Sequence, residues 1–189
     1  MREAFKEWAV ICKALAAGRQ AIIVRKGGVA ESAGIFTPDH TRFWLYPTYA
    51  HQQRDGIKPE AGPLLEEAER ERPPAGVLRL SHFVEVSGVF QVHKLFGALV
   101  LDHLHLWSEG TIRKRFDYRQ PGLFVLPARV YQVPQTIELV DKPEYEGCKT
   151  WVEFDRDLPT DGAVPVLDDR RFADVLESLH RLLNPTAWA

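Results

Sequence analysis

The segment Val77-Leu78-Arg79-Leu80-Ser81-His82-Phe83-Val84-Glu85-Val86 is the core of the longest β pattern in the chain, residues 76–92. A period of two is the signature of a strand, so the chain must build a sheet. Leu78, Leu80, His82, Val84 and Val86 fall on one face, and Arg79, Ser81, Phe83 and Glu85 on the other. Gly88 marks a bend or bulge. His82 lies in the apolar row, where it is either a core histidine with one hydrogen bond or a ligand.

Further strands are expected at residues 20–25, 42–49, 123–131 and 149–154, with 135–140 extended. In the stretch 42–49, Phe43, Leu45 and Pro47 share one face, and Arg42, Trp44, Tyr46 and Thr48 the other. Pro47 has no N–H to give to a ladder, which predicts an edge strand or a bulge there. A helix is expected over residues 4–17, because Phe5, Trp8, Ala9, Cys12 and Leu15 recur at spacings of three and four, with Gly18 placed to cap it. Cys12 is then a small core residue. Residues 64–72 read as a short charged helix ended by Pro73-Pro74, and residues 93–101 as another. Ser108 is placed to cap a helix running to Tyr118. Asp168 or Asp169 caps a terminal helix over 168–184, with Phe172, Val175, Leu176, Leu179, Leu182 and Leu183 on its apolar side. Residues 29–41 and 141–147 read as loops, 54–63 as a mobile connection and 155–167 as linker-like.

These elements predict a single globular α+β domain over residues 1–189. Its sheet is mixed and mainly antiparallel, closing into a partial barrel and packed with the N-terminal and C-terminal helices. A chain of 189 residues can bury one good core. A formal net charge of -2 argues against a broad non-specific nucleic-acid footprint, while leaving room for a local basic patch. No apolar run approaches the roughly 18 residues of a membrane helix, and no unbroken apolar leader is present at the start. A cytoplasmic protein with reduced Cys12 and Cys148 is expected, with no membrane partner.

The densest mixed chemistry lies in Arg42-Phe43-Trp44-Leu45-Tyr46-Pro47-Thr48-Tyr49-Ala50-His51-Gln52-Gln53. A pocket wall needs rings and hydrogen-bonding groups together in this way. Arg25-Lys26-Gly27-Gly28 follows a strand and is either an anion-binding turn or a plain solvated one. Arg115 lies in the densest basic cluster, with Arg113, Lys114 and Arg119. The ligand-binding candidates are Arg25, Lys26, Arg42, Trp44, Tyr46, Tyr49, His51, Gln52, Arg115 and Lys149. If they occupy opposite faces of the sheet, a single site built from all of them is wrong. His103 and His105 could share a metal only on a strand, and no standard ligand set completes them. The sequence leaves any cofactor unknown. Cys148, between Gly147 and Lys149, could have a lowered pKa.

Three blocks carry a family resemblance. They are Ala21-Ile22-Ile23-Val24-Arg25-Lys26-Gly27-Gly28, then Arg42 to Tyr49 with His51-Gln52, and then Arg129-Val130-Tyr131 with Glu144-Tyr145-Glu146-Gly147-Cys148-Lys149-Thr150-Trp151-Val152-Glu153. Together they resemble the prokaryotic family called domain of unknown function 1802, over residues 4–154. That resemblance supplies no activity or catalytic residues. The order of elements is also similar, more weakly, to PUA-like and ASCH-type domains, small β-barrels that bind RNA or modified nucleotides. Three functional readings follow. The first is a nucleic-acid or nucleotide binding module, with RNA, DNA or a nucleotide as partner. Its aromatics stack bases and its Arg and Lys residues meet phosphate. The second is a metal-dependent or acid-base hydrolase such as a nuclease, using His51, His82, His103, Glu85, Glu153 or Asp155, although no spacing matches a known catalytic set and Gly-x-Ser-x-Gly is absent. The third is an assembly protein whose aromatic stretch forms a homodimer interface, with Arg42 paired to a carboxylate.

Overall fold

A computed structural model of the protein describes residues 1–26, 40–147 and 149–183. The turn glycines Gly27 and Gly28, most of the expected loop 29–41, and Cys148 lie outside the described residues.

The chain is α+β, with a curled mixed sheet. Its strands are β1 (Glu3–Trp8), β2 (Ile22–Arg25), β3 (Arg42–Thr48), β4 (Val77–Val86), β5 (Phe90–Val92), β6 (Leu123–Val140), β7 (Trp151–Glu153) and β8 (Val164–Pro165). The helices are α1 (Ala9–Ala16), α2 (Gly62–Arg70), α3 (Leu95–Leu99), α4 (Glu109–Asp117) and α5 (Asp169–Leu183). The sheet runs β2-β6-β4-β3-β1-β7, with β5 and β8 also paired to β6. The pairing of β1 with β3 is parallel, and the other named pairings are antiparallel.

The start of the chain departs from expectation. Residues 3–8 form a strand, and the helix is confined to Ala9–Ala16. The helical spacing of Phe5 and Trp8 is overridden by pairing on both sides: Ala4 to Trp8 run beside Trp44 to Thr48, and Glu3 to Phe5 beside Glu153 to Trp151. The cap is where the sequence put it. Gly18 takes φ 63°, and its N–H and that of Arg19 close the helix on Leu15 and Ala14. A Cβ at Gly18 would lie 2.8 Å from Leu167, so α1 and the approach to α5 meet there.

Strand β3 lies between β4 and β1 in the sheet, but only Trp44 is paired on both sides, and at Pro47 the strand is an edge toward β4, as expected. Arg42 to Trp44 pair with Glu85 to Phe83 of β4, while the other edge pairs with β1. The β4 ladder ends before Pro47, so on that side the missing N–H breaks nothing. Both faces of β3 are buried. Phe43 and Leu45 join the main core with Phe5, Ile11, Leu15 and Val84, and Trp44 and Tyr46 join a second core with Ala4, Leu80, Phe83 and Phe154. In β4 the expected apolar row does not stay on one face. A register shift between Leu80 and His82 leaves Leu78 and Leu80 with Phe83 and sends Val84 to the opposite core. Between these pairs β4 advances two residues and β6 five, and an odd offset of this kind reverses which side the following residues face.

Other segments are more ordered than expected. Residues 123–131 and 135–140 join into one 18-residue strand despite Pro127 and Pro134. The connection 54–63 is packed, with Ile57 buried and bridged to Trp107. Within 155–167, Leu158 is buried and its N–H bonds Met1 O, and Val164–Pro165 pairs with β6. Ser108 caps α4 through Thr111 N, and Asp168 Oδ1 accepts from Arg171 N at the start of α5. The burial of Phe5 between β3 and β7 makes it a test of the strand assignment. Phe5→Ala is expected to cost about 3–5 kcal/mol in urea denaturation, whereas Phe96→Ala, at a largely exposed ring, is expected to stay within about 0.5 kcal/mol.

Candidate functional site

The two ends of the curled sheet approach each other without a backbone ladder among the described residues, and polar side chains fill the seam. From β2, Arg25 donates to Thr150 Oγ1 at 3.0 Å, just before β7. Its guanidinium lies 4.7 Å from the centre of the Phe5 ring, and its Nη1 is 3.8 Å from Glu7 Oε2. Glu7 projects from β1 and is 3% exposed. Its Oε1 accepts the Trp8 N–H at 2.9 Å, and its Oε2 accepts no hydrogen bond from any described residue. Arg115, from α4, reaches the same carboxylate field. It lies 3.6 Å from the centre of the Trp107 ring and donates to Val24 O at 3.0 Å. Burial pushes Arg115 down to about 10, Glu7 pulls it back up and Arg25 presses it further down. It still carries its charge at neutral pH.

Among the described residues, the Glu7 carboxylate lies 3.8 Å from Arg25 and within the electrostatic reach of Arg115, which leaves more guanidinium charge and more donors than it can match. The surplus extends to two indoles, since Trp107 Nε1 and Trp151 Nε1 are buried and donate to no described residue. Trp151 is half-buried at the rim. Its ring meets Phe5 at 5.1 Å, Phe43 at 5.0 Å and His40 at 5.1 Å, all edge-on. Buried donors without acceptors cost free energy unless water or a ligand satisfies them. Acceptors brought to the seam would satisfy these donors.

Of the ten residues expected at a site, Arg25 and Arg115 come together here. Lys26 is close by but already engaged. Its ammonium donates to the carbonyls of Phe116 at 2.7 Å and Gly122 at 2.9 Å, and to Gln120, closing the end of α4, and burial pushes its pKa down. Arg42 is on the opposite face, paired with Glu85 at 3.1 Å and lying over Phe83. Trp44 has no exposed surface and its Nε1 donates to Met1 O at 3.1 Å, so it offers no ring face for stacking. Tyr46 is buried and donates to Asp141 Oδ1, and burial raises its pKa. Gln52 caps α1, accepting from Val10 N at 3.2 Å and donating to Glu69. His51 is exposed, with φ 70°. Lys149 is exposed and bonds Glu144 O at 3.1 Å. The expected convergence of Arg25, Arg42 and Lys149 is therefore absent.

Tyr49 lines a separate cleft of about 130 Å³ with Cys12, Lys13, Arg79, Ser81 and His82. It opens where β3 and β4 diverge beyond Trp44 and Phe83. Lys13 is already held by Glu67 at 2.7 Å and by Glu71, and Arg79 by Glu138 at 2.7 Å. Burial, and then Glu7, push the Cys12 thiol up, away from the reactive thiolate. This cleft has no charge surplus comparable to the seam. His103 and His105 do not share a strand: Asp102–Leu104 is a helical turn, His103 is exposed and His105 is buried. Among the described residues no group of three or more His, Cys, Asp or Glu is placed to hold a metal ion.

Glu7, Thr150, Trp107 and Trp151 were not among the expected site residues. Glu7 was hidden because residues 4–17 follow a helical spacing. Thr150 and Trp151 lie in a block noted for its family resemblance.

Burial pushes His105 down to about 4 from an ordinary 6.5, helped by Lys58. The unfolded chain therefore binds a proton more readily, and stability falls as pH drops from about 6.5 toward about 4. The loss from His105 is up to about 3 kcal/mol. The melting temperature is expected to fall over that window, and the fall should be shallower in His105→Gln, whatever that variant's stability at pH 7.

No helix among the described residues is long and apolar enough to cross a membrane. No curated protein matches the sequence. Among solved structures, the chain is similar to ASCH from Zymomonas mobilis, at 12% identity over 93% of both chains with a TM-score of 0.47. Two variants of that protein give 13% identity over 94% of both chains with a TM-score of 0.46, and 12% identity over 94% of this chain and 96% of that one with a TM-score of 0.45. The fold assignment rests on the strand order and registers, independently of these likenesses. A family model described as domain of unknown function (DUF1802) matches residues 4–178, further than the expected 4–154 and well into α5, and the chain belongs to that family.

Proposed function

We propose that the protein binds a nucleotide, or an unpaired nucleotide of RNA or DNA, in the seam between β2 and β1–β7. The observation that carries this reading is the 3.8 Å approach of Arg25 to the buried carboxylate of Glu7, with Arg115 in the same electrostatic field. The surplus guanidinium charge suits an anionic, acceptor-rich ligand. The half-buried Trp151 and the neighbouring His40 supply aromatic surface at the rim, where a base can stack for about 1–3 kcal/mol. A net charge of -2 fits one nucleotide in a pocket better than a long phosphate track.

Fluorescence titration with short single-stranded RNA, short single-stranded DNA and nucleoside monophosphates at two salt concentrations tests this reading. Saturable quenching that weakens with salt is expected, lost in Arg25→Ala and kept in Arg42→Ala. No response from the folded protein, or equal loss in both variants, would overturn it.

A further inference from the structure

We infer that the seam selects guanine among the bases, an inference that rests on the nucleotide-binding reading above. Its ground is the hydrogen-bonding pattern that Glu7 and Arg25 present side by side. A carboxylate only accepts, and a guanidinium only donates. Glu7 Oε2 is buried and takes no hydrogen bond from a described residue, while Oε1 takes one, from Trp8 N. Each oxygen therefore has a lone pair to offer. Arg25 Nη1 stands 3.8 Å from Oε2, too far for a hydrogen bond to it. The carboxylate and the guanidinium are neighbours that leave each other's hydrogen-bonding capacity largely unused.

A ligand edge that matches this pair must carry two adjacent donors followed by an acceptor. Guanine presents N2–H and N1–H beside O6. The two donors meet the two oxygens of Glu7, and O6 accepts from Arg25. Adenine and cytosine offer one exocyclic amino donor beside a ring acceptor, so a ring nitrogen lone pair would face the carboxylate or a donor would be lost. Uracil offers one donor between two carbonyls, and one of those carbonyls would oppose Glu7. Arginine also matches the O6 and N7 acceptors of guanine. Arg115 is the second guanidinium in reach of this field.

The Glu7 side chain is 2% exposed and that of Arg25 20%, so a base meets the carboxylate only where Arg25 gives way. Among the described residues Arg25 is held by a hydrogen bond to Thr150 Oγ1, by the 3.8 Å ion pair to Glu7 and by its place over Phe5. Moving it aside breaks the bond to Thr150, which O6 of the bound base replaces, and lengthens the ion pair. Trp151, half-buried and packed edge-on to Phe5 and His40, supplies the stacking surface.

Calorimetric titration with GMP, IMP, AMP, CMP and UMP decides the matter. IMP is guanine's analogue without the 2-amino group, so it keeps O6 and N1–H and loses one donor to Glu7. GMP is expected to bind about tenfold or more tighter than AMP, CMP and UMP, with IMP between. Glu7→Gln is expected to bring the five ligands within about twofold of one another. If that variant does not fold, the GMP-to-IMP ratio of the unaltered protein decides by itself. Five nucleotides binding equally to the unaltered protein would overturn guanine selection and leave nucleotide binding standing. No binding of any of them would overturn both.

Discussion

The parallel pairing of Ala4 to Trp8 with Trp44 to Thr48 of β3 is the constraint on which the rest of the molecule depends. It inserts the start of the chain between β3 and β7 and makes β3 an internal strand buried on both faces. It also fixes where each β1 side chain points. Phe5 enters the main core against Phe43, Ala4 enters the second core beneath Trp44, and Glu7 is carried to the seam. The N-terminal ammonium itself is anchored, bonding Leu158 O at 3.1 Å and Asp157 at 2.9 Å. A chain whose first residues were helical would have neither the continuous sheet nor a carboxylate facing Arg25.

The two cores and the seam stand in different energetic positions. Phe5, Phe43, Trp44 and Phe83 are almost wholly removed from water, and such side chains contribute the bulk of the driving force for folding. The seam carries buried charge whose desolvation works against folding. One 3.8 Å ion pair and single hydrogen bonds offset that cost incompletely, and two indole N–H groups remain without acceptors among the described residues. A fold selected for stability alone would place apolar groups there. Sites that bind ligands commonly keep such imperfectly satisfied groups ready for the ligand.

What the sequence disclosed was local. The strand character of residues 42–48 and 77–86, the Ser108 cap, the Gly18 cap and the apolar stripe of α5 each depend on neighbours within a few positions, and each has its structural counterpart. What it concealed was non-local. No pattern inside residues 3–8 announces a partner some forty positions away. The irregularity after Leu80 exchanges the faces of β4, and its only mark in the sequence is Pro134, which lies across from it in β6. The basic residues Arg25 and Arg115 were recognisable as chemistry, but their meeting at Glu7 depends on how the sheet curls. Tyr46, Gln52 and Lys26, equally suggestive as residue types, turn out to be held by Asp141, by the start of α1 and by the end of α4.

The most direct test of the central claim, that Glu7 and Arg25 form a receptor and not a structural ion pair, is a double-mutant cycle on the ligand-free protein. Glu7→Gln, Arg25→Gln and the double variant would be compared with the unaltered chain by urea denaturation. Arg25 keeps 20% of its side chain in solvent, which screens it, and makes no hydrogen bond to Glu7 3.8 Å away, so the coupling is expected to be about 1 kcal/mol or less. A coupling of about 3 kcal/mol or more, the size found when a tight buried pair is broken, would contradict the account and make the seam a structural element.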